Sequence, residues 1–403
     1  MKRLSLSLLL LSLLSLLARA QPEVPTQVDR LARQYAAHPH NRGLIIGIIR
    51  NGTPYTHAYG ETQKGNGQPP KPSDLFELGE ISGVFTTTLL AKLHREGVLS
   101  LEAPLDSLMP VGQRMPVYQH LRCEPTLFTD PDKPGVYACE PLQYDNLVSL
   151  RLCDVATHVA GLPRRPTNLR WGGRKNPFAG YGRKDLYAFL NQYPIRFTRG
   201  FEYKYSYVGM ALAGEALTGR GTRTYEEVLT EKLLVPLKLL DTGVQLTASQ
   251  RQRLLPGHNR QGSPVPHWDF DVLAPAAGLR SSTNDLLQLL RIHIGLTPDE
   301  WFYTARLTQN PRAAVKTHAN TFAGLGWLLT PFPETGEEII WQAGQTGGFA
   351  TYVGLLPQAG IGIVVLSNSA NPVDQMGQAM LRILNQHVDR PLPPRAALPD
   401  GVR

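Results

Sequence analysis

Apolar residues along the N-terminal part of the chain follow first a helical and then a strand spacing. "TQVDRLARQYAAH" has the apolar face of a helix, and "GLIIGIIRNGTPYTHAYG" contains two strand-like runs joined at Asn51-Gly52, a dipeptide typical of tight hairpins. A helical spacing of three and four returns after residue 80, at Ile81, Val84, Phe85, Leu89 and Leu93. The order predicted is helix, hairpin, buried helix.

The rest of the chain divides into a helical middle and a strand-rich end. Residues 109–150 are rich in Pro, Asp and turn residues, which predicts an irregular excursion, and "VSLRLCDVATHVAGLPRRP" predicts a helix stopped by Gly161 and Pro163. Further helices are expected at 185–192, 206–218, 224–234 and 283–294.

Four strand-like runs, from "FAGLGWLLT" to "GIGIVVLSN", precede a closing amphipathic helix, "VDQMGQAMLRILNQHV". Strands at the two ends must pair to satisfy their edges. The pattern predicts an α/β fold of the α+β type: an antiparallel sheet formed by N- and C-terminal strands, flanked by helices, with an inserted helical region.

The first twenty residues have the features of a secretory signal. Lys2 and Arg3 precede an apolar run, and Ala18 and Ala20 have the spacing that a signal peptidase recognises. A membrane anchor is the alternative, but the run is short for a bilayer span of about 20 residues. We expect cleavage after Ala20, a secreted or periplasmic protein, and no stable membrane insertion afterwards.

Composition and charge indicate a globular protein with a mildly basic surface. Cleavage removes Lys2, Arg3 and Arg19, which lowers the formal charge from +8 to +5. At 42% hydrophobic residues, the chain can bury a large core. We expect one domain over residues 21–403, with a sheet lobe at about 24–75 and 320–390 and a helical lobe at about 76–319.

Three cysteines bear on the compartment and on metal binding. Cys123 and Cys139 lie in the predicted excursion, where an oxidising compartment favours a disulfide between them. Cys153 lies in an apolar helical run and is expected to be a small buried residue. Because the chain has no CxxC and no HExxH, a zinc site is disfavoured, and no metal or cofactor is expected.

Five strings in a fixed order resemble the serine β-lactamase and penicillin-binding protein superfamily, closest to its class C β-lactamase and esterase branch. The strings begin with "FELGEISGVFTTTLLAKL", which is similar to the family's nucleophile helix, and "DVATHVAGLP", which is similar to "LLTHTSGLP". "YKYSYVGMALAGEAL", "AGLRSSTNDLLQLL" and "WQAGQTGGFATYVGLLP" follow, in the places of the Y-x-N helix, of "GGLRSTANDL" and of the KTG strand. The resemblance implies a β-lactamase/transpeptidase-like fold.

The resemblance also implies which residues would do the chemistry. In S-x-x-K a serine nucleophile gives its proton to a base one helical turn on, and backbone amides stabilise the oxyanion. On this chain the positions of Ser, Lys, Tyr, Asn and the Lys or His of the third strand fall on Glu80, Gly83, Tyr205, Tyr207 and Gln342. The surrounding pattern is kept at Gly344, Thr346, Gly347 and Gly348.

Four of the five chemical side chains are therefore replaced. Glu80 has two interpretations: a carboxylate favoured at a helix N-terminus, or a working group that serves as base, covalent carboxylate or acceptor for a cationic ligand. Ser82 is about 200° around the helix from Glu80, so it should face away. Gly83 leaves a gap on the pocket face that Tyr207 or a ligand could fill.

Two further features leave alternatives open. His158 matches the family histidine of "THTSGLP", where it resembles a structural residue at a helix end. Residues 164–184 carry seven basic and no acidic side chains, with Trp171, Phe178 and Tyr181 between them. This stretch is either a solvated loop or a site for an anionic partner. Nucleic acid is not an expected partner of an exported protein.

Two functions follow from these residues. The first is a non-hydrolytic pseudoenzyme that binds a peptide, a cell-wall fragment or a small ligand near Glu80, Tyr205, Tyr207, Gln342, Gly344 and Thr346. The alternative is an active hydrolase or transferase, of β-lactamase, esterase or peptidase type, with non-standard catalytic residues.

Overall fold

The computed structural model of the 403-residue chain describes residues 24–118, 121–125, 137–141, 148–170, 175–195, 202–297, 299–316, 320–332 and 337–386. The expected signal peptide and its cleavage point lie outside these residues. In the part of the chain that they cover, no helix is both long and apolar enough to cross a membrane.

The fold is built on an antiparallel sheet of eight strands in the order β11-β12-β13-β14-β15-β16-β1-β2. Its strands are β1 Leu44–Arg50, β2 Thr53–Tyr59, β11 Ala313–Ala314, β12 Phe322–Ala323, β13 Leu328–Pro331, β14 Glu338–Gln345, β15 Ala350–Leu356 and β16 Ile361–Ser367. Strand β1 pairs with β16, from Leu44 opposite Ser367 to Ile49 opposite Gly362. Both ends of the chain thus build one sheet, and the predicted fold class is confirmed.

The β1–β2 hairpin turns at the predicted dipeptide. Asn51 has a φ of 50° and Gly52 a φ of 74°, the left-handed pair of conformations that a two-residue type I′ turn requires. Arg50 and Thr53 then face each other as the closing pair of the hairpin. The turn therefore sets the register that places Ile45 and Ile46 on opposite faces of the sheet.

Short strands outside the large sheet form two-residue to five-residue ladders. They are β3 Leu75–Glu77, β4 Val117–Tyr118, β5 Leu121–Pro125, β6 Tyr137–Pro141, β7 Val148–Ser149, β8 Gly257–His258, β9 Pro264–Val265 and β10 Arg280–Ser282. Strand β5 pairs with β6 in the predicted excursion, and Cys123 lies opposite Cys139 in that register. The disulfide stays a prediction, whereas Cys153 is free and buried as expected.

Twelve described α-helices surround the sheet and fill the inserted region. They are α1 Thr26–Ala36, α2 Ser82–Arg95, α3 Leu105–Leu108, α4 Leu152–Ala156, α5 Arg183–Leu190, α6 Tyr207–Ala216, α7 Tyr225–Leu229, α8 Ala248–Arg253, α9 Ala274–Ala277, α10 Thr283–Ile294, α11 Asp299–Thr308 and α12 Asp374–Asn385. The helix predicted from "VSLRLCDVATHVAG" is shorter than expected. It ends at Ala156 because His158 takes a left-handed φ of 60°.

Two apolar cores lie on opposite faces of the sheet. On one face Ile45, Ile49 and Val364 pack with α2, α6 and α10; on the other, Ile46 and Val365 pack with α1 and α12. Helix α2 lies within the first core, and its five predicted apolar positions are all at most 5% exposed. The sheet is therefore covered on both faces, and α2 is held rigidly at its N-terminus, where Glu80 lies.

Candidate functional site

The backbone of the turn before α2 lies very close to the backbone of strand β14. A short 3₁₀ turn, Gly79–Ile81, leads into α2 and lies against β14. A Cβ atom on Gly344 would lie 2.0 Å from the carbonyl oxygen of Leu78, and one on Gly79, which has a φ of 56°, would lie 2.5 Å from the amide nitrogen of Gln345. Glycine at these two positions therefore lets Glu80 reach the edge of the strand.

The Glu80 carboxylate accepts hydrogen bonds from three different elements. Oε1 accepts from the Tyr207 hydroxyl at 2.8 Å and from Nη2 of Arg164, and Oε2 accepts from the amide nitrogen of Gln345 at 2.8 Å. The Glu80 side chain is only 8% exposed. A buried charge is stable when it is paired and hydrogen-bonded in this way.

Arg164 is the main residue of the site that the sequence did not identify. Its guanidinium carbon lies 5.2 Å from the ring centroid of Tyr207 and 5.6 Å from that of Tyr205, beside the ion pair with Glu80. The sequence grouped Arg164 with the other basic residues of 164–184. The available signal was charge compensation: residue 80 is a carboxylate where the resemblance places a serine, and a buried carboxylate requires a nearby cation.

The two tyrosines of the site hold their protons strongly. The Tyr205 hydroxyl lies 3.2 Å from the carbonyl oxygen of Glu80 and 3.0 Å from that of Ala276, and donates toward both. Burial, and then the charge of Glu80, raise the pKa of Tyr205 and of Tyr207 well above the usual value. A tyrosine can act as a base only when its pKa is lowered. Both therefore serve here as hydrogen-bond donors.

Gly83 faces Tyr205. A Cβ atom at this position would lie 3.0 Å from the Tyr205 hydroxyl and 3.6 Å from Cε of Met210. The space that a longer side chain would need is thus filled by Tyr205 and Met210, rather than by Tyr207 as the sequence had suggested. Tyr207 instead lies behind Glu80 and is 2% exposed.

Gln342 is bound to the backbone of its own sheet. Its Nε2 donates to the carbonyl oxygen of Gly326 at 3.0 Å, and its Oε1 accepts from the amide nitrogen of Ala343 at 2.9 Å. The amides of Ala343 and Gln345, two residues of β14, donate to side-chain oxygens. Both donors are taken, one by Gln342 and one by Glu80.

Ser82 faces away from Glu80, as helical geometry predicts. Its Oγ accepts from the amide nitrogen of Leu279 at 3.0 Å, and the residue is 0% exposed. Thr86, one turn later, donates to the carbonyl oxygen of Pro275 at 2.8 Å. These two hydroxyls join α2 to the segment around α9 and are separated from the carboxylate.

His158 packs against the rings of Tyr203 and Tyr205. Its ring centroid is 4.0 Å from that of Tyr205, and its Nδ1 accepts from the amide nitrogen of Ser206 at 3.2 Å. Full burial, and then the charge of Arg164, lower the pKa of His158 to about 3. The histidine is neutral at neutral pH, and it positions Tyr205 through ring contact.

Beside the carboxylate lies a cleft of about 410 Å³ along the end of β14, beyond the residues that pair with β13. It is lined by Glu80, Arg164, Tyr203, Tyr205, Leu328, Trp341, Gln342, Ala343, Gly344, Gln345, Ala350, Thr351, Pro372, Val373 and Asp374. Four of the six predicted ligand-binding residues are among them. Tyr207 and Thr346 are not; Thr346 lies in the turn after β14, where its amide donates to the carbonyl oxygen of Phe349 at 3.0 Å.

Other predicted features lie outside the cleft. Phe178 and Tyr181 of the basic stretch are buried, with Phe178 stacked on Phe270 at 4.7 Å, so they do not form an exposed aromatic surface; Trp171 lies outside the described residues. Over the described ranges, no group of three His, Cys, Asp or Glu side chains is placed to hold a metal ion.

The sheet, the buried helix that begins at its edge and the tyrosines facing that helix define the class of penicillin-recognising serine hydrolase folds. The profile of the beta-lactamase family matches residues 28–386, and the chain belongs to that family. Whether it shares the reaction of its relatives is a separate question, which depends on the residues around Glu80.

Relatives of known activity and known structure agree on the fold. The chain is 25% identical over 363 residues to the D-alanyl-D-alanine-carboxypeptidase/endopeptidase AmpH of Escherichia coli, covering 86% of this chain and 84% of that one. It is 22% identical to a beta-lactamase of Pseudomonas fluorescens, covering 85% and 93%. A beta-lactamase/D-alanine carboxypeptidase structure from Pseudomonas syringae superposes with a TM-score of 0.73 at 22% identity, covering 91% of this chain and 99% of that one.

Proposed function

We propose that this protein is a non-hydrolytic member of the beta-lactamase family that binds a ligand in the cleft beside Glu80. One observation carries the proposal: the carboxylate at the nucleophile position is held by Arg164, Tyr207 and the amide of Gln345. An acyl-transfer site needs a free nucleophile, a base and a free amide donor for the oxyanion. Glu80 already occupies the donor.

The absence of a base at the neighbouring positions supports the same proposal. Gly83 has no side chain to accept a proton, and Gln342 is neutral and bonded to Gly326. Tyr205 retains its proton because burial and the charge of Glu80 raise its pKa. A serine elsewhere would need one of these groups, and Ser82 is turned into the core.

Ligand binding is the function that the remaining geometry supports. The cleft volume of about 410 Å³ lies within the range of roughly 300–1,000 Å³ that is usual for small-molecule sites. Its lining combines apolar and aromatic side chains, among them Trp341 and Val373, with a few polar groups. A peptide, a cell-wall fragment or another small molecule fits this description. We also propose that the protein acts outside the cytoplasm, because the first twenty residues have the features of a secretory signal.

The test is covalent labelling with a fluorophosphonate, with hydrolysis of nitrocefin and of p-nitrophenyl acetate measured beside it. We expect no labelled serine and no turnover above buffer. The beta-lactamase of Pseudomonas fluorescens, assayed in parallel, is the positive control for nitrocefin hydrolysis.

A working enzyme with non-standard residues would give the opposite result. Turnover that disappears in Glu80→Ala or Tyr205→Phe would assign the reaction to this cleft and overturn the proposal. Labelling that disappears in Ser82→Ala would do the same and would show that helix α2 is distorted in solution.

A further inference from the structure

We propose that the cleft selects a cationic ligand, one that joins a primary ammonium or guanidinium group to an apolar portion, and that Asp374 is the residue that recognises the positive charge. The inference rests on the proposed function, since it concerns the same cleft. It reverses the charge preference expected from the resemblance, which places a lysine and a second lysine or histidine in this region.

The first argument is the balance of charges among the residues that line the cleft. Three of them are charged: Glu80, Arg164 and Asp374. Glu80 and Arg164 form an ion pair and neutralise each other. Among the described residues, no cationic side chain forms an ion pair with Asp374, so the cleft retains one negative charge.

The second argument concerns hydrogen-bond donors. An anionic ligand that lies along β14 needs the amides that point away from β15, but Ala343 donates to Gln342 and Gln345 donates to Glu80. The Arg164 guanidinium is likewise engaged, with Glu80 and with the rings of two tyrosines. An anion would have to displace the Glu80 carboxylate from the Gln345 amide and compete with it for the half-exposed Arg164 guanidinium, whereas a cation disturbs neither contact.

The third argument concerns the surfaces beside Asp374. The rings of Tyr203 and Trp341 line the same cleft, and aromatic faces attract cations. Burial raises the pKa of Tyr203, so its hydroxyl stays protonated and contributes no charge of its own. Asp374 is the first residue of α12, at the positive end of the helix dipole. Its charge also opposes the attraction that the helix end would otherwise exert on an anion.

The experiment compares two probes of similar shape and opposite charge, 2-phenylethylamine and 3-phenylpropionate, binding to the full chain by isothermal titration calorimetry. We expect the amine to bind at least about tenfold more tightly than the carboxylate at low salt. Added sodium chloride should narrow the difference, because the recognition is electrostatic and partly exposed to solvent.

Two variants assign the preference to Asp374. Asp374→Asn should weaken binding of the amine by about tenfold and leave the affinity for a neutral probe, 3-phenyl-1-propanol, unchanged. Asp106→Asn is the matched control, because Asp106 also lies in the first turn of a helix, is exposed and does not line the cleft. It should leave the binding of all three probes unchanged.

The possible failures of the two proposals are distinct. Three results would overturn the proposed preference for a cationic ligand. They are equal or tighter binding of the carboxylate, an Asp374→Asn variant that binds the amine normally, and no binding of either charged probe at about 10 mM. None of these results produces a labelled serine. Labelling or turnover would overturn the non-hydrolytic proposal whatever the charge preference of the cleft.

Discussion

At the scale of single residues, the position of Glu80 differs from a catalytic one in its partners as well as in its identity. Its two carboxylate oxygens are bonded by a tyrosine, an arginine and a backbone amide, each from a different part of the chain. These three donors satisfy the hydrogen-bonding needs of a buried anion. They include the Gln345 amide, which is then not free to bind the oxyanion of an acyl-transfer intermediate. Replacing this one residue should therefore leave several other requirements unmet.

Glu80→Ser restores only the nucleophile of the family motif. We expect this variant to show no turnover of nitrocefin and no fluorophosphonate labelling, because Gly83 provides no amine to accept the serine proton. Circular dichroism should first establish that the variant folds. Robust hydrolysis by Glu80→Ser would mean that another group, such as Tyr205, accepts the proton.

His158 should make stability depend on pH. Its folded pKa of about 3 is below the unfolded value of about 6.5, so the unfolded state binds more protons between these two values, and stability falls as the pH falls through this window. Between pH 7 and pH 5 the loss from this group is about 2 kcal/mol in the free energy of unfolding.

Urea unfolding of His158→Asn at the same two pH values provides the comparison. Asparagine tolerates the left-handed φ of 60° at this position and has a side-chain oxygen that can accept from Ser206. The variant should be less stable overall, since it loses the ring stacked on Tyr205. Its loss on going to pH 5 should be smaller than that of the wild type by about 2 kcal/mol. Identical pH slopes would show that His158 titrates normally.

At the scale of secondary-structure elements, the site depends on how closely β14 approaches the turn before α2. Gly344→Ala would place a methyl group 2.0 Å from the Leu78 carbonyl oxygen, which neither backbone can accommodate without moving. We expect a loss of about 2–4 kcal/mol in the free energy of unfolding, in the range of overpacked core substitutions or somewhat above it.

A Gly→Ala substitution with room for the methyl group is the control for Gly344→Ala. At Gly182 the nearest atom to the added Cβ would be Oδ2 of Asp271, at 3.6 Å, an ordinary contact. Gly182→Ala should change stability by less than about 1 kcal/mol. Equal effects at the two glycines would mean that the close approach of β14 to Leu78 is not tight in solution.

Much of this element-level arrangement was predictable, and the exceptions have physical reasons. The Asn51-Gly52 turn and the buried face of α2 depend on local preferences and spacing, which the sequence displays directly. The early end of the helix before His158 depends on tertiary packing of that ring against Tyr205. Local patterns do not record such packing.

The same distinction holds for the candidate site. Positions 80, 83 and 342 follow from the resemblance of the surrounding strings to the family motifs. Arg164 lies 84 residues after Glu80 in the sequence, and Asp374 begins the last described helix. Only the folded chain brings the three residues to the same cleft. Charge compensation between distant residues leaves no periodic pattern in the sequence. From the sequence alone, Arg164 was therefore assigned to the basic stretch 164–184.

At the scale of the whole molecule, the first and last described helices pack together on one face of the sheet. Helix α12 packs on β15, β16 and α1, so the last described helix covers the sheet whose other face holds α2. This arrangement also fixes Asp374, because the first residue of α12 is positioned by the packing of the rest of the helix. A terminal helix is here a part of the core and a wall of the cleft.

The contribution of this terminal helix can be measured against that of the helix at the site. Leu384 on α12 and Leu89 on α2 are each 0% exposed, one in each core. We expect Leu384→Ala and Leu89→Ala each to lower the free energy of unfolding by about 2–5 kcal/mol in urea titrations. Gln375→Ala, at an exposed position of α12, should stay within about 0.5 kcal/mol of the wild type.

A loss below about 1 kcal/mol for Leu384→Ala beside a large loss for Leu89→Ala would mean that α12 detaches without unfolding the sheet. In that case Asp374 would not be held in place, and the charge preference of the cleft would depend on how often α12 is docked.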